Sequence, residues 1–169
     1  YEFGDGGGFC TETLTVEARA QTPSGFKVFV IAGVGRGTPV YRMLTRLDIP
    51  FTTGVLHEGD LDYYAAKSLG GEVIAEKAFH AISPEKLDQA LVKAAETDAA
   101  IYVTHPVGQL NAANTVLAKK LVDMGIPTVV YGDAQLEGCW RRAGHLRELV
   151  KALKELTEHN LTKPPYISL

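Results

Sequence analysis

Cysteine is scarce in this sequence, and no metal-binding pattern accompanies it. The 169 residues include 2 cysteines, Cys10 and Cys139. They have neither the density of a secreted disulfide scaffold nor the close spacing of a zinc site. We interpret both as thiols in a reducing compartment, with one long-range disulfide as the alternative. The histidines also lack metal-ligand spacing, so we expect no metal.

Long apolar runs and clustered positive charge are absent as well. No run approaches the roughly 20 residues of a membrane-spanning helix, and the first residues lack the layout of a secretory signal. The 17 basic residues are scattered and the formal net charge is −3, which argues against a nucleic-acid partner. We expect a soluble, cytoplasmic protein that reaches the inner face of a membrane only through a partner.

What is present is the composition of a globular domain. Hydrophobic residues make up 46% of the chain and charged residues 22%, so a packed core is expected. From Phe26 onward, apolar strand patterns alternate with helical patterns, which predicts βαβ units and a mostly parallel sheet. The predicted strands are 26–32, 50–56, 71–75, 99–104 and 126–131.

The helices between these strands carry their own start and stop signals. Thr38-Pro39 and Ser83-Pro84 each place a capping hydroxyl before a proline, and Gly70 and Gly125 stand where left-handed caps end helices. The fold class that follows is α/β, a Rossmann-like three-layer sandwich with a five-stranded sheet in the order 3-2-1-4-5.

The ends of the chain differ from this domain. Residues 1–25 contain a glycine cluster and, over 9–18, an alternating pattern typical of one extra N-terminal strand. We divide the chain into a linker and strand at 1–25, the Rossmann-like domain at 26–160 and a tail at 161–169.

The sharpest local feature is a glycine-rich turn between the first strand and the first helix. A helix N-terminus preceded by glycines offers backbone N–H donors to an anion, which predicts a phosphate or nucleotide of unknown identity as cofactor. Its spacing is G-x-G-x-G, so it is neither a dehydrogenase fingerprint nor a P-loop. The alternative is that the glycines only permit a tight turn. The candidate residues here are Gly33, Gly35, Arg36, Gly37 and Thr38.

Two further segments belong to the same predicted sheet edge. After the second strand come His57, Glu58 and Asp60, and an acidic residue there is suited to ribose hydroxyls. The alternative is that Asp60 caps the next helix, with Glu58 and Asp62 favouring its positive end.

The second of these segments follows the fourth strand. Asn111 and Asn114 are spaced to share a helix face and to offer amides to a ligand, unless capping explains one of them. His105 is a candidate ligand donor or proton carrier, or has a purely structural use.

Three blocks in this order resemble a known family. Residues 30–37, 54–63 and 106–114 are similar to the domain appended after the ATPase module in some ABC transporter ATP-binding proteins for iron-chelate or cobalamin uptake. The resemblance spans about residues 26–133. It implies a regulatory or ligand-sensing accessory domain, with the ATPase module and the permease as partners. That family's loop carries more glycines, where this chain has Val34 and Arg36.

Three hypotheses about function follow. The first is a non-catalytic nucleotide- or anion-binding accessory domain, since the chain has no G-x-x-x-x-G-K-[ST] loop. The second is a small nucleotide-dependent oxidoreductase or transferase, with His105 or Asp60 transferring a proton. The third is a structural homodimerisation module that pairs through the 9–18 strand.

Overall fold

The computed structural model describes residues 25–77 and 82–162, without the side chains of 109, 110 and 159–162. The described chain alternates strands and helices as far as its fifth strand, which is followed by a sixth strand with no helix between them. The strands are β1 (Val28–Ile31), β2 (Phe51–His57), β3 (Glu72–Glu76), β4 (Ala99–Val103), β5 (Thr128–Tyr131) and β6 (Arg141–Ala143). The helices are α1 (Thr38–Arg46), α2 (Leu61–Ser68), α3 (Pro84–Ala94), α4 (Ala112–Asp123) and α5 (Leu146–Thr162), with a 3₁₀ turn at Gly108–Asn111 before α4.

All these strands pair in parallel in one sheet, in the order β3-β2-β1-β4-β5-β6. The predicted α/β class and the 3-2-1-4-5 order are confirmed. The predicted count of five is corrected by β6, a three-residue edge strand whose two arginines face solvent. Its shortness and charge hide it from hydrophobic patterning, and charged residues are usual on sheet edges. The predicted strand at 9–18 lies outside the described residues.

Helices cover both faces of the sheet, as a Rossmann-like sandwich requires. One buried cluster joins the sheet to α1, α2 and α5, for example through Leu44, Ala66 and Leu149. The other joins it to α3 and α4, for example through Ala94 and Leu121. The central strands β1 and β4 are buried along their whole length, which explains why they are almost continuously apolar.

The helix ends confirm most of the predicted caps. Gly70 and Gly125 have positive φ values of 85° and 84°, and the Ser83 hydroxyl accepts a hydrogen bond from the Lys86 amide. Thr38 is the exception. The residue capping α1 is Gly37, without a side-chain cap, because the Thr38 hydroxyl bonds elsewhere, as described below.

A separate property of the helices concerns membranes. Across 25–77 and 82–162, none of them is both long and apolar enough to cross a bilayer.

The packing of α4 gives a direct test of this core. Leu121 is fully buried, whereas Val116 on the same helix is 51% exposed. We expect Leu121→Ala to lower the free energy of unfolding by about 2–5 kcal/mol, because it leaves a cavity. The control Val116→Ala is expected to change it by less than about 0.5 kcal/mol. Urea unfolding of both variants measures the difference, and equal losses would contradict this orientation of α4.

Candidate functional site

A pocket of about 630 Å³ opens at the carboxyl ends of β1, β2 and β4. It lies where the chain leaves β1 toward one side of the sheet and β4 toward the other, the usual ligand position in open α/β sheets. Its size is typical of small-molecule sites. The apolar part of its lining includes Val55, Leu56, Ile82, Val103, Val107 and Ala113.

The structure brings together most of the candidate residues from the sequence, but not all. The lining includes Gly33, Gly35, His57, Asp60, His105, Asn111 and Asn114. Arg36, Gly37, Thr38 and Glu58 are not part of it. Three separate loops therefore meet at one site, as the order of the strands requires.

Asp60 is the centre of the site's hydrogen bonding. Its Oδ2 accepts from the Val34 amide at 2.6 Å, and its Oδ1 accepts from the amides of Gly35 at 3.1 Å and Asp62 at 2.9 Å. The last of these bonds is the N-cap of α2, so the capping alternative for Asp60 is confirmed. The same carboxylate also reaches across to the glycine-rich turn.

The backbone amides of the glycine-rich turn are arranged to bind an anion, but a side chain of the protein already occupies the anion position. Val34 and Gly35 have φ values of 55° and 77°, so their consecutive amides face one acceptor, in the manner of a nest. A β-branched residue rarely adopts such a φ, and Val34 also leaves 49% of its surface exposed. The acceptor in this nest is the Asp60 carboxylate.

Asp62 occupies the remaining donors of the turn. It is fully buried, and it accepts hydrogen bonds from the Gly37 amide at 3.0 Å and from the Thr38 hydroxyl at 3.0 Å. Gly37 is needed for close packing, since a Cβ there would come within 2.8 Å of Ala32 and of the Tyr41 ring. The expectation that the amides of Val34, Gly35 and Gly37 and the Thr38 hydroxyl hold a phosphate is therefore corrected.

Arg36 and Glu58 are not among the residues that line the pocket. Burial raises the pKa of Tyr131 on β5, and the positive charge of Arg36 opposes that rise. Glu58 lines a separate depression beside α2 with Tyr63, Tyr64, Lys67 and Ser68. Neither side chain is in the pocket lining, so the phosphate role of Arg36 and the sugar role of Glu58 stay predictions.

The two histidines of the pocket share one local arrangement. The Nδ1 of His57 accepts from the Gly59 amide at 3.0 Å, and the Nδ1 of His105 accepts from the Val107 amide at 2.9 Å. In a neutral ring whose Nδ1 is an acceptor, the proton is on Nε2. In this tautomer the Nε2 of each ring carries the proton and is a hydrogen-bond donor.

The two asparagines differ in their roles. Asn111 is buried, and its amide bonds both the N–H and the C=O of His105, at 2.8 and 3.0 Å. It clamps the loop after β4 and does not cap α4 with its side chain. Asn114 donates a long 3.4 Å bond to the Ala32 carbonyl and faces the pocket. Of the pair, Asn114 is the better placed to contact a ligand.

The charges of the lining are negative. Asp60 and Glu76 contribute carboxylates, and among the described lining residues there is no lysine or arginine. Glu76 accepts from the amides of Lys77 and Ser83 at 2.9 and 3.2 Å. No group of three histidine, cysteine, aspartate or glutamate side chains suited to a metal ion occurs within 25–77 and 82–162.

Sequence reasoning missed Glu76 and the role of Asp62. Glu76 ends β3, so its place at the carboxyl edge was accessible from the strand pattern. Asp62 appeared only as a charge favouring the start of a helix. Its contact with Gly37, 25 residues earlier, leaves no trace in local spacing.

Comparison with known proteins places the chain in a family. The MJ0874 family model matches residues 51–164. The chain belongs to the MJ0874 family. A similar protein is the uncharacterized protein MJ0874 of Methanocaldococcus jannaschii, 30% identical over 79 residues, which cover 47% of this chain and 85% of that protein. No solved structure matches.

The match begins at the first residue of β2 and includes the Asp60 and Asp62 segment, β4 and α4. It leaves out β1 and the glycine-rich turn. The matched region therefore supplies both carboxylates, while the donors that they bind lie before it.

Asp62 makes the stability of this family member depend on pH. Burial raises its pKa above the ordinary aspartate value, against the lowering effect of its bond from Gly37, and the charge of Asp60 adds to the rise. A raised folded-state pKa contributes stability that is complete below about pH 3.9 and is lost as the pH rises through the folded value. We therefore compare the free energy of unfolding of the wild type with that of Asp62→Asn. We expect the wild type to lose stability relative to this variant as the pH rises through the pKa that Asp62 has in the folded protein.

Urea unfolding from pH 4 to neutrality measures this difference. Asp123→Asn, which removes an exposed carboxylate of α4, is the matched control. A difference that grows with pH would mean that the hydrogen bonds to Asp62 outweigh its burial.

Proposed function

We propose that this chain is a nucleotide-binding accessory domain that works beside the ATPase of an ABC transporter for iron-chelate or cobalamin uptake. The observation that supports it best is the switch-point pocket, whose lining combines apolar side chains with a few convergent polar groups. Such a combination is typical of a small-molecule site. The partner rests on the resemblance of the three sequence blocks.

In this proposal the pocket holds the nucleoside part of the ligand. The base lies among Val55, Ile82 and Val103, since a flat aromatic ring gains most from burial in an apolar slot. A carboxylate has about four acceptor positions, and the three bonds to Asp60 leave one of them, on Oδ2, for a ribose hydroxyl. Asn114 and the Nε2 of His105 supply further hydrogen bonds.

The proposal assigns binding to these residues rather than catalysis. The enzyme hypothesis needs Asp60 or His105 as a proton carrier. Asp60 is held by three backbone donors, which makes it a positioned acceptor. His105 is held on both sides, by Val107 at its ring and by Asn111 at its backbone. In this proposal both groups are positioned parts of a binding site, and neither is assigned a proton transfer.

Filling the pocket tests the binding proposal. Ala113 lines the pocket from the first turn of α4. We expect calorimetric titration to detect at least one of the common ribonucleosides or their phosphates. Ala113→Phe is expected to weaken that binding at least about tenfold, because the ring occupies the ligand's space. The matched control Val116→Phe adds a ring to an exposed position of the same helix and is expected to bind like the wild type.

Absence of heat with every nucleoside and nucleotide would reject the binding proposal. Equal loss in both phenylalanine variants would contradict the location of the site.

The partnership has its own test. The purified ATP-binding protein of an iron-chelate or cobalamin ABC transporter from the same genome is titrated with this chain, and ATP hydrolysis is measured. We expect the bound nucleoside to change the concentration of this chain at which its effect on ATP hydrolysis is half-maximal. The expected change is about fivefold or more, the lower range of allosteric coupling. The Ala113→Phe chain is expected to show no such shift. An unchanged hydrolysis rate at all chain concentrations would remove the partner from the proposal.

A further inference from the structure

Asp60 occupies the position that a ligand phosphate takes in many α/β folds. The first turn after β1, at the mouth of α1, is where backbone amides usually receive a phosphate. Here the amides of Val34 and Gly35 converge on the Asp60 carboxylate instead, at 2.6 and 3.1 Å. A carboxylate satisfies such donors well, because charge-assisted hydrogen bonds are short and strong.

This contact belongs to the pocket and not to a distant part of the surface. Gly33, Val34, Gly35 and Asp60 all line the cavity. A Cβ on Gly33 would lie 3.7 Å from the Asp60 carboxylate and 3.8 Å from the Asn114 amide nitrogen. A ligand that reaches the turn therefore meets a negative charge before it meets a backbone donor.

The other described side chains of the lining include two histidines as their basic groups. Glu76 adds a second carboxylate, and the described lining contains no lysine or arginine. Arg36, the basic residue of the turn, is not among the lining residues. Asp62 holds the Gly37 amide, so this donor of the turn is not open either.

We propose that the Asp60 carboxylate occupies the phosphate position at the Val34 and Gly35 amides, and that it thereby makes the pocket select a nucleoside over its phosphates. The inference rests on the proposed function for the identity of the ligand. Its physical basis is that a phosphate carries about 1.5 to 2 negative charges. Near a protein surface, charges a few ångströms apart repel strongly enough to change an affinity by tenfold or more.

Asp60→Ser is the variant that separates this role from helix capping. Serine is a good N-cap, so it preserves the bond to the Asp62 amide. Its side chain has a hydroxyl in place of the carboxylate, so the Val34 and Gly35 amides are left open. Asp60→Asn is the matched control, because it fills nearly the same space without the charge. Asp60→Gly is a second variant that frees the Val34 and Gly35 amides, since glycine is also accepted at N-caps.

Calorimetry with adenosine, AMP and inorganic phosphate measures the selection, and circular dichroism checks that each variant is folded. For the wild type we expect adenosine to bind at least about tenfold more tightly than AMP, and inorganic phosphate not to bind. Asp60→Ser is expected to bind inorganic phosphate and to prefer AMP. Asp60→Asn is expected to reduce the preference for adenosine without gaining phosphate binding, because its side-chain amide still occupies the position beside the Val34 and Gly35 amides.

Failure of this inference and failure of the proposed function give different results. AMP binding to the wild type as tightly as adenosine would overturn the selection by Asp60 and leave nucleotide binding intact. Folded Asp60→Ser and Asp60→Gly chains that gain no affinity for inorganic phosphate would also overturn it. If neither adenosine nor AMP binds the wild type but other nucleosides do, the comparison is made with that nucleoside and its monophosphate. If none binds, the proposed function is rejected and the phosphate titration alone decides the role of Asp60.

Discussion

Two carboxylates from the start of α2 hold the turn between β1 and α1. Asp60 bonds the amides of Val34 and Gly35, and Asp62 bonds the amide of Gly37 and the hydroxyl of Thr38. Backbone donors at a helix start must find acceptors, and here the acceptors come from the neighbouring βα turn. The two turns are thereby joined into one unit at the edge of the sheet. The position of this edge of the pocket depends on that junction.

The junction also determines what chemistry the pocket presents. A turn with free amides would give the pocket a positive end, but a turn whose amides are bonded to Asp60 gives it a negative one. Val34 has an unfavourable backbone conformation, with a φ of 55°. The hydrogen bond to Asp60 stabilises this conformation, because it requires the Val34 amide to face the carboxylate. The backbone donors of this turn are thus bonded to a carboxylate of the protein itself.

How much was predictable from the sequence depends on the range of the interactions involved. The strands β1 to β5 and their order follow from apolar periodicity and from the rule for crossovers. That Gly33, His57, Asp60, His105 and Asn114 meet follows from the same order, because parallel strands end at one edge. The bonds of Asp60 to residues 25 and 26 positions earlier are not encoded in any local pattern. The clamp of Asn111 on His105 spans only six residues, but its geometry depends on the turn between them.

The sequence by itself determined the α/β class, the edge at which the pocket opens and seven of the nineteen described residues that line it. These properties come from hydrophobic periodicity and glycine placement, which act over a few neighbouring residues. The tertiary structure alone decided that the glycine-rich turn is already occupied, that Arg36 is outside the pocket lining and that β6 extends the sheet. The physical reason is that a backbone N–H bonds the acceptor that packing brings nearest. In this fold that acceptor belongs to another turn.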